Sequence, residues 1–130
     1  MRLAFASCMY LADNSTQDVW NQLLKRHQET KIDHLLLLGD QVYTGFGFSD
    51  ANRKPQRTWP QQQFLDTLYK EYKAQFEVPS FKALLRAMAA SGGTVQITWD
   101  DHDFGYNNAF GSDVAFAANK PISSALFTSF

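Results

Sequence analysis

The chain has a single cysteine, Cys8, in 130 residues. An internal disulfide is therefore excluded, and the fold must rest on burial and hydrogen bonding. No apolar run approaches the roughly 20 residues that a membrane-spanning helix needs; the most strongly apolar stretch, Leu35-Leu36-Leu37-Leu38, has four. Charge of one sign is also lacking. Twelve Lys and Arg balance thirteen Asp and Glu for a net charge of −1, which argues against a nucleic-acid-binding surface with its usual basic excess. Near-neutrality does not exclude a phosphate substrate, because bound metal ions can supply positive charge locally. The first residues, Met1-Arg2-Leu3-Ala4-Phe5, contain no long apolar segment of the secretory type. The expectation is a soluble, cytoplasmic protein without a membrane partner.

What is present is material for a core. The composition is 45% hydrophobic and 15% aromatic, with eleven phenylalanines, enough to order one domain of ordinary size. Leu3 to Met9 reads as a strand. Ser15 and Asp18 stand at capping-box spacing, and Val19, Trp20, Leu23, Leu24 and His27 recur at helical spacing, which predicts a helix from Thr16 to Gln28. Ile32 to Leu38 is a second strand. A long polar loop with Pro55 follows Tyr43. Phe64, Leu65, Leu68, Tyr69 and Tyr72 form the next helical stripe, and Phe64, Tyr69 and Tyr72 are expected in the core. Pro79-Ser80 opens another helix, with Phe81, Leu84, Leu85 and Met88 on one face, and Ser91-Gly92-Gly93 ends it. Thr94 to Trp99 is the third strand, Asp100 to Ser112 a loop, and Ile122, Leu126, Phe127 and Phe130 mark a final helix from near Pro121. The order β-α-β-loop-α-α-β-loop-α predicts a layered α/β fold with a mostly parallel sheet and flanking helices.

Three predicted strand ends carry reactive groups: Cys8, Asp40 with Tyr43, and the loop from Asp100 to Asn108. A parallel sheet brings such ends to one edge. Cysteine, aspartate, tyrosine, histidine and asparagine can all ligate metals, and a carboxylate can bridge two ions held about 3.5–4 Å apart for hydrolysis. Each residue also has a structural reading. Cys8 can be a small buried hydrophobe, Asp40 a cap and Tyr43 a packing residue. His27 fits a helix boundary and His34 a strand start. Asp100-Asp101-His102-Asp103 is harder to read structurally, since three carboxylates around a histidine repel unless a cation, exposure or protonation relieves them.

Taken together, Ala6-Ser7-Cys8, Leu38-Gly39-Asp40-Gln41-Val42-Tyr43 and Thr98-Trp99-Asp100-Asp101-His102-Asp103-Phe104-Gly105-Tyr106-Asn107 make the chain resemble the alkaline phosphatase D family. This family is a branch of the calcineurin-like metallophosphoesterases. Tyr69 to Tyr72 and Pro79-Ser80-Phe81 resemble the family's intervening helices. The resemblance implies a binuclear centre. Cys8 as thiolate and Tyr43 as phenolate would bind Fe3+, although a lone thiolate by itself suggests zinc. Asp40 would bridge to Ca2+ or another divalent cation, which Asn107 would ligate. Asp101 and His102 are placed beside the metals as catalytic groups, orienting ligands or aiding the leaving group. The implied reaction is hydrolysis of phosphate mono- or diesters. Family members are often exported.

The resemblance also defines what is missing. The family completes its site with later aspartate and histidine ligands on a second sheet, whereas this sequence has only His27, His34 and His102. The expectation is the first half of an αββα sandwich over 1–130, arising by truncation, gene splitting or frameshift. Metal binding would be weak and activity impaired, and the expected partner is a complementing C-terminal half or a second copy. Two other readings remain: a non-catalytic interaction module derived from a phosphoesterase, and an unrelated α/β domain whose strand-end carboxylates bind nothing.

Overall fold

Three short apolar segments at intervals bridged by helices pair side by side in the computed structural model, which describes residues 1–11, 16–43, 60–105, 108–110, 112 and 117–129. The strands are β1 (Leu3–Ala6), β2 (His34–Leu38) and β3 (Thr94–Thr98). They form a parallel sheet in the order β1-β2-β3, with Leu3 opposite His34 and His34 opposite Thr94. The helices are α1 (Val19–Glu29), α2 (Gln61–Glu77), α3 (Pro79–Ala90), α4 (Asp101–Phe104) and α5 (Lys120–Phe127). The fold is α/β, and none of the described helices is long and apolar enough to cross a membrane.

Alternation along β2 sends Leu35 and Leu37 into the protein, where they are buried. They meet Trp20 of α1 and Phe81, Leu84 and Met88 of α3 in one cluster. Trp20 and Phe81 stack at a tilt with centroids 4.7 Å apart. Other residues of alternate register point to the opposite face, where Leu3, Phe5 and Leu38 are exposed. A second cluster lies past β2 and joins Val42 to Phe64, Leu68 and Tyr72 of α2 and Leu126 of α5. Val78 separates α2 from α3 because the proline after it disfavours helical backbone; its ψ of 119° is extended.

The elements follow the sequence pattern, with differences at their ends. β1 stops at Ala6 rather than Met9, since Cys8 turns into left-handed backbone at φ 56°. β2 begins at His34 because the Ile32 N–H is taken by His27 Nδ1 at 3.1 Å. That bond makes His27 a buried structural residue, and His34 is likewise tied to Thr94 Oγ1 at 2.8 Å. α1 starts at Val19, later than expected. Ser15 lies outside the described residues, and Asp18 makes no capping bond but accepts from Asn21 and Gln22. Tyr69 is exposed rather than in the core: the buried stripe of α2 runs through Phe64, Leu68, Tyr72 and Gln75, and Tyr69 sits a third of a turn off it. Gln75 is buried at no polar cost because its amide pairs with that of Gln17 in both directions, at 2.8 and 2.9 Å. Phe127 stacks on Trp99 at 5.1 Å; Phe130 and the long loop at 44–59 lie outside the described residues.

The two sheet faces predict unequal responses to mutation. Leu37→Ala should cost about 2–5 kcal/mol in urea unfolding, as for other fully buried leucines, whereas Phe5→Ser on the exposed face should change stability by no more than about 0.5 kcal/mol.

Candidate metal centre

All three strands end at the same edge of the sheet, and each delivers polar residues there. β1 leads to Cys8, β2 to Asp40 and β3 to Asp100. The chain past β1 stays beside the end of β2, with the Cys8 N–H donating to Gly39 O at 3.2 Å and the Met9 N–H to Asp40 O at 2.8 Å. Gly39 is required at this junction. Its φ is +98°, and a Cβ there would lie 2.6 Å from Asp100 Cβ. The close approach of β2 and β3 ends is thus built on the absence of a side chain.

Asp40 itself has φ 55°, a left-handed conformation that a residue with a side chain adopts at some cost. It is buried, and its two carboxylate oxygens face different groups. Oδ2 accepts from the Tyr43 hydroxyl at 3.1 Å and lies 3.8 Å from Cys8 Sγ. Oδ1 accepts the backbone N–H of His102 at 3.3 Å. Burial raises the Asp40 carboxyl above the ordinary range, and the Tyr43 hydrogen bond opposes this. The Tyr43 hydroxyl is pushed well above its usual range, first by burial and then by the Asp40 carboxylate. The Tyr43 ring also packs against that of His102, centroids 4.2 Å apart.

β3 turns into α4 through a capping box. The Asp100 carboxylate accepts from the start of α4, including the Asp101 N–H at 2.9 Å, while the Asp103 carboxylate accepts the Asp100 N–H at 3.0 Å. This short helix replaces part of the expected loop. One turn of helix is too short to leave an apolar period in the sequence. α4 turns Asp101 and His102 toward β2, and ligand atoms of Asp40, Asp101 and His102 all lie within 4.8 Å of one another. This group could hold a metal ion. A carboxylate pair with an imidazole suits transition ions and the harder divalent cations.

Of the residues singled out as metal ligands, the fold brings Cys8, Asp40 and Tyr43 together; Cys8 is exposed. Asn107 lies outside the described residues. Asp101 and His102, read from sequence as helpers beside the metals, share the potential metal-holding group with Asp40. The residue that sequence reasoning passed over is Asp103, which is wholly buried. Its Oδ2 accepts the Asp40 N–H at 2.6 Å and the Asp100 N–H; its Oδ1 accepts the Gln41 N–H at 2.8 Å and the Tyr72 hydroxyl at 3.4 Å. The spacing Asp100-x-x-Asp103 before an aromatic residue was the available signal, as an acidic capping box.

Burial pushes the Asp103 carboxyl up to about 6, against the pull of its backbone donors. A raised acid binds its proton more tightly folded than unfolded. Its stabilising contribution is full below the unfolded value of 3.8 and is lost as pH rises through about 6. Asp40 is raised in the same direction. Chelator-treated protein should therefore lose stability between about pH 4 and pH 7, by on the order of 2–3 kcal/mol from Asp103, and Asp103→Asn should flatten that slope in urea unfolding at successive pH values.

Comparison with known proteins adds no relative: no protein-family model, curated protein or solved structure matches this chain.

Proposed function

We propose that this chain carries the metal-binding part of a phosphoric ester hydrolase whose chemistry is like that of the alkaline phosphatase D family. The observation that carries the reading is the two-sided use of Asp40. One of its oxygens faces Cys8 and Tyr43, the other accepts the His102 backbone N–H, and the carboxylate shares the potential ion group with the Asp101 and His102 side chains. A carboxylate with Cys8, Tyr43, Asp101 and His102 all close to it is suited to bridging two ions. By the family resemblance, Cys8 as thiolate and Tyr43 as phenolate would bind Fe3+. The His102 imidazole favours a divalent transition ion, while the carboxylates would also accept Ca2+. Asn107 is a further donor in this reading.

The chain's own groups have definable tasks. Tyr43 keeps its proton beside the Asp40 carboxylate, and a neighbouring cation would favour the phenolate. His102, stacked on Tyr43, is held where it could bind a cation or pass a proton to a departing alkoxide. Bound ions would polarise the phosphoryl oxygen and lower the pKa of a water. Cys8, Asp40, Tyr43, Asp101 and His102 are five donors among the described residues, fewer than two fully coordinated ions require. In this reading affinity and turnover are low and mono- or diester hydrolysis is impaired, because the sequence offers only His27, His34 and His102 where the family uses further histidine ligands.

The test is to load purified protein with Fe3+ and with Co2+ and follow the visible spectrum. Native protein should develop a phenolate-to-iron charge-transfer band that Tyr43→Phe abolishes, and Asp40→Ala should weaken Co2+ binding at least tenfold. Hydrolysis of p-nitrophenyl phosphate should stay near background. Native protein that binds neither ion would refute the metal reading, and brisk hydrolysis would refute its impairment.

A second reading, an interaction module that associates with itself, is favoured by one observation. Leu3, Phe5 and Leu38 stand on the same exposed sheet face, with exposures of 54%, 70% and 45%. Apolar side chains aligned this way are uncommon on an uncovered sheet. In this reading light scattering finds a metal-independent dimer or larger species, and Phe5→Lys returns it to monomer; a monomeric native chain would reject it.

A further inference from the structure

The geometry points to Asp103 as the positioning residue of the metal centre: by accepting the backbone N–H groups of Asp40, Gln41 and Asp100, its buried carboxylate sets how Asp40 faces Asp101 and His102. The inference rests on the metal reading above.

Asp40 and the Asp101–His102 pair come from different strand ends, so some group must hold those ends in register. The sheet ladder does so only as far as Leu38 opposite Thr98. Beyond it, the His102 N–H donates directly to Asp40 Oδ1 at 3.3 Å, and the shorter side-chain bonds of Asp103 span the gap, to Asp40 at 2.6 Å and Gln41 at 2.8 Å on one side and to Asp100 at 3.0 Å on the other. The Asp40 bond fixes a residue whose left-handed backbone has no intrinsic preference for that state. On the far side, α4 is one turn long, too short to be stable through its own hydrogen bonds. Its first turn is held by the Asp100–Asp103 capping box. Asp101 and His102 therefore owe their direction to the same carboxylate that holds Asp40. The Asp103 carboxylate spends its oxygens on backbone N–H groups and the Tyr72 hydroxyl, so it acts through the backbone of the residues that would hold an ion.

A merely structural role would lower stability and leave the affinity of the folded protein unchanged. The distinguishing experiment compares Co2+ binding by native protein and Asp103→Asn, reading the visible d–d spectrum at a urea-free pH where circular dichroism finds both folded. The amide keeps the shape but turns one acceptor edge into a donor facing backbone N–H groups. Expected is a 10- to 100-fold weaker Co2+ affinity, the range typical of lost outer-shell support, with an altered d–d spectrum. Equal affinity and an unchanged spectrum overturn the inference while leaving the metal reading intact. No Co2+ binding by native protein overturns the inference, and no binding of Fe3+ either overturns the metal reading with it. Should Asp103→Asn not fold, the native protein gives the answer by NMR. The amide hydrogens of Asp40, Gln41 and Asp100 should exchange slowly and their resonances move together on titration with Zn2+. Fast exchange, or resonances that Zn2+ does not move, overturns the inference.

Discussion

A single buried carboxylate, that of Asp103, ties together the strand ends on which the candidate site depends. It accepts from three backbone N–H groups and the Tyr72 hydroxyl. Burying a charge is expensive unless hydrogen bonds compensate it, and here the compensation is incomplete, since burial still raises the carboxyl to about 6. What the cost achieves is geometric. The helix stripe of α2 supplies Tyr72, β2 supplies the Asp40 and Gln41 amides, and β3 supplies Asp100. Three elements are thus referenced to one side chain. Gly39 makes the arrangement sterically possible, because any Cβ there would collide with Asp100.

Around this clamp the carboxylate and hydroxyl groups are held at an electrostatic cost, which the Tyr43 hydrogen bond and the His102 charge offset only in part at Asp40. Burial and the nearby Asp101 both work against ionising Asp40, while Asp40 works against ionising Tyr43. A cation among these groups would reverse both effects, favouring carboxylate and phenolate together. The same set of contacts therefore looks costly as packing and reasonable as a binding site. That asymmetry is the physical support for the metal reading.

Much of the fold was legible because its elements obey strong periodicities. Trp20, Leu23, Leu24 and His27 marked α1, Phe81, Leu84 and Met88 marked α3, and the leucines of β2 marked the central strand. Tyr69 misled because a stripe is resolved only to about a third of a turn from sequence, and that interval separates Leu68 in the core from Tyr69 on the surface. Asp103 was missed for a different reason. In sequence it is one of three acids around a histidine, and its capping-box spacing from Asp100 signals a local cap but not the backbone amides 62 and 63 residues away that it also holds.

By itself the sequence determined the element order, the parallel α/β class and the candidate chemistry of Cys8, Asp40, Tyr43, Asp101 and His102. Those properties follow from residue type and local period. Only the tertiary structure decided which oxygen of Asp40 faces which partner, that Asp101 and His102 share a potential ion site with it, and that Asp103 turns inward to hold them. These depend on directions and distances of a few ångströms between strand ends, which are set by how the sheet, its helices and the Gly39 contact close upon one another.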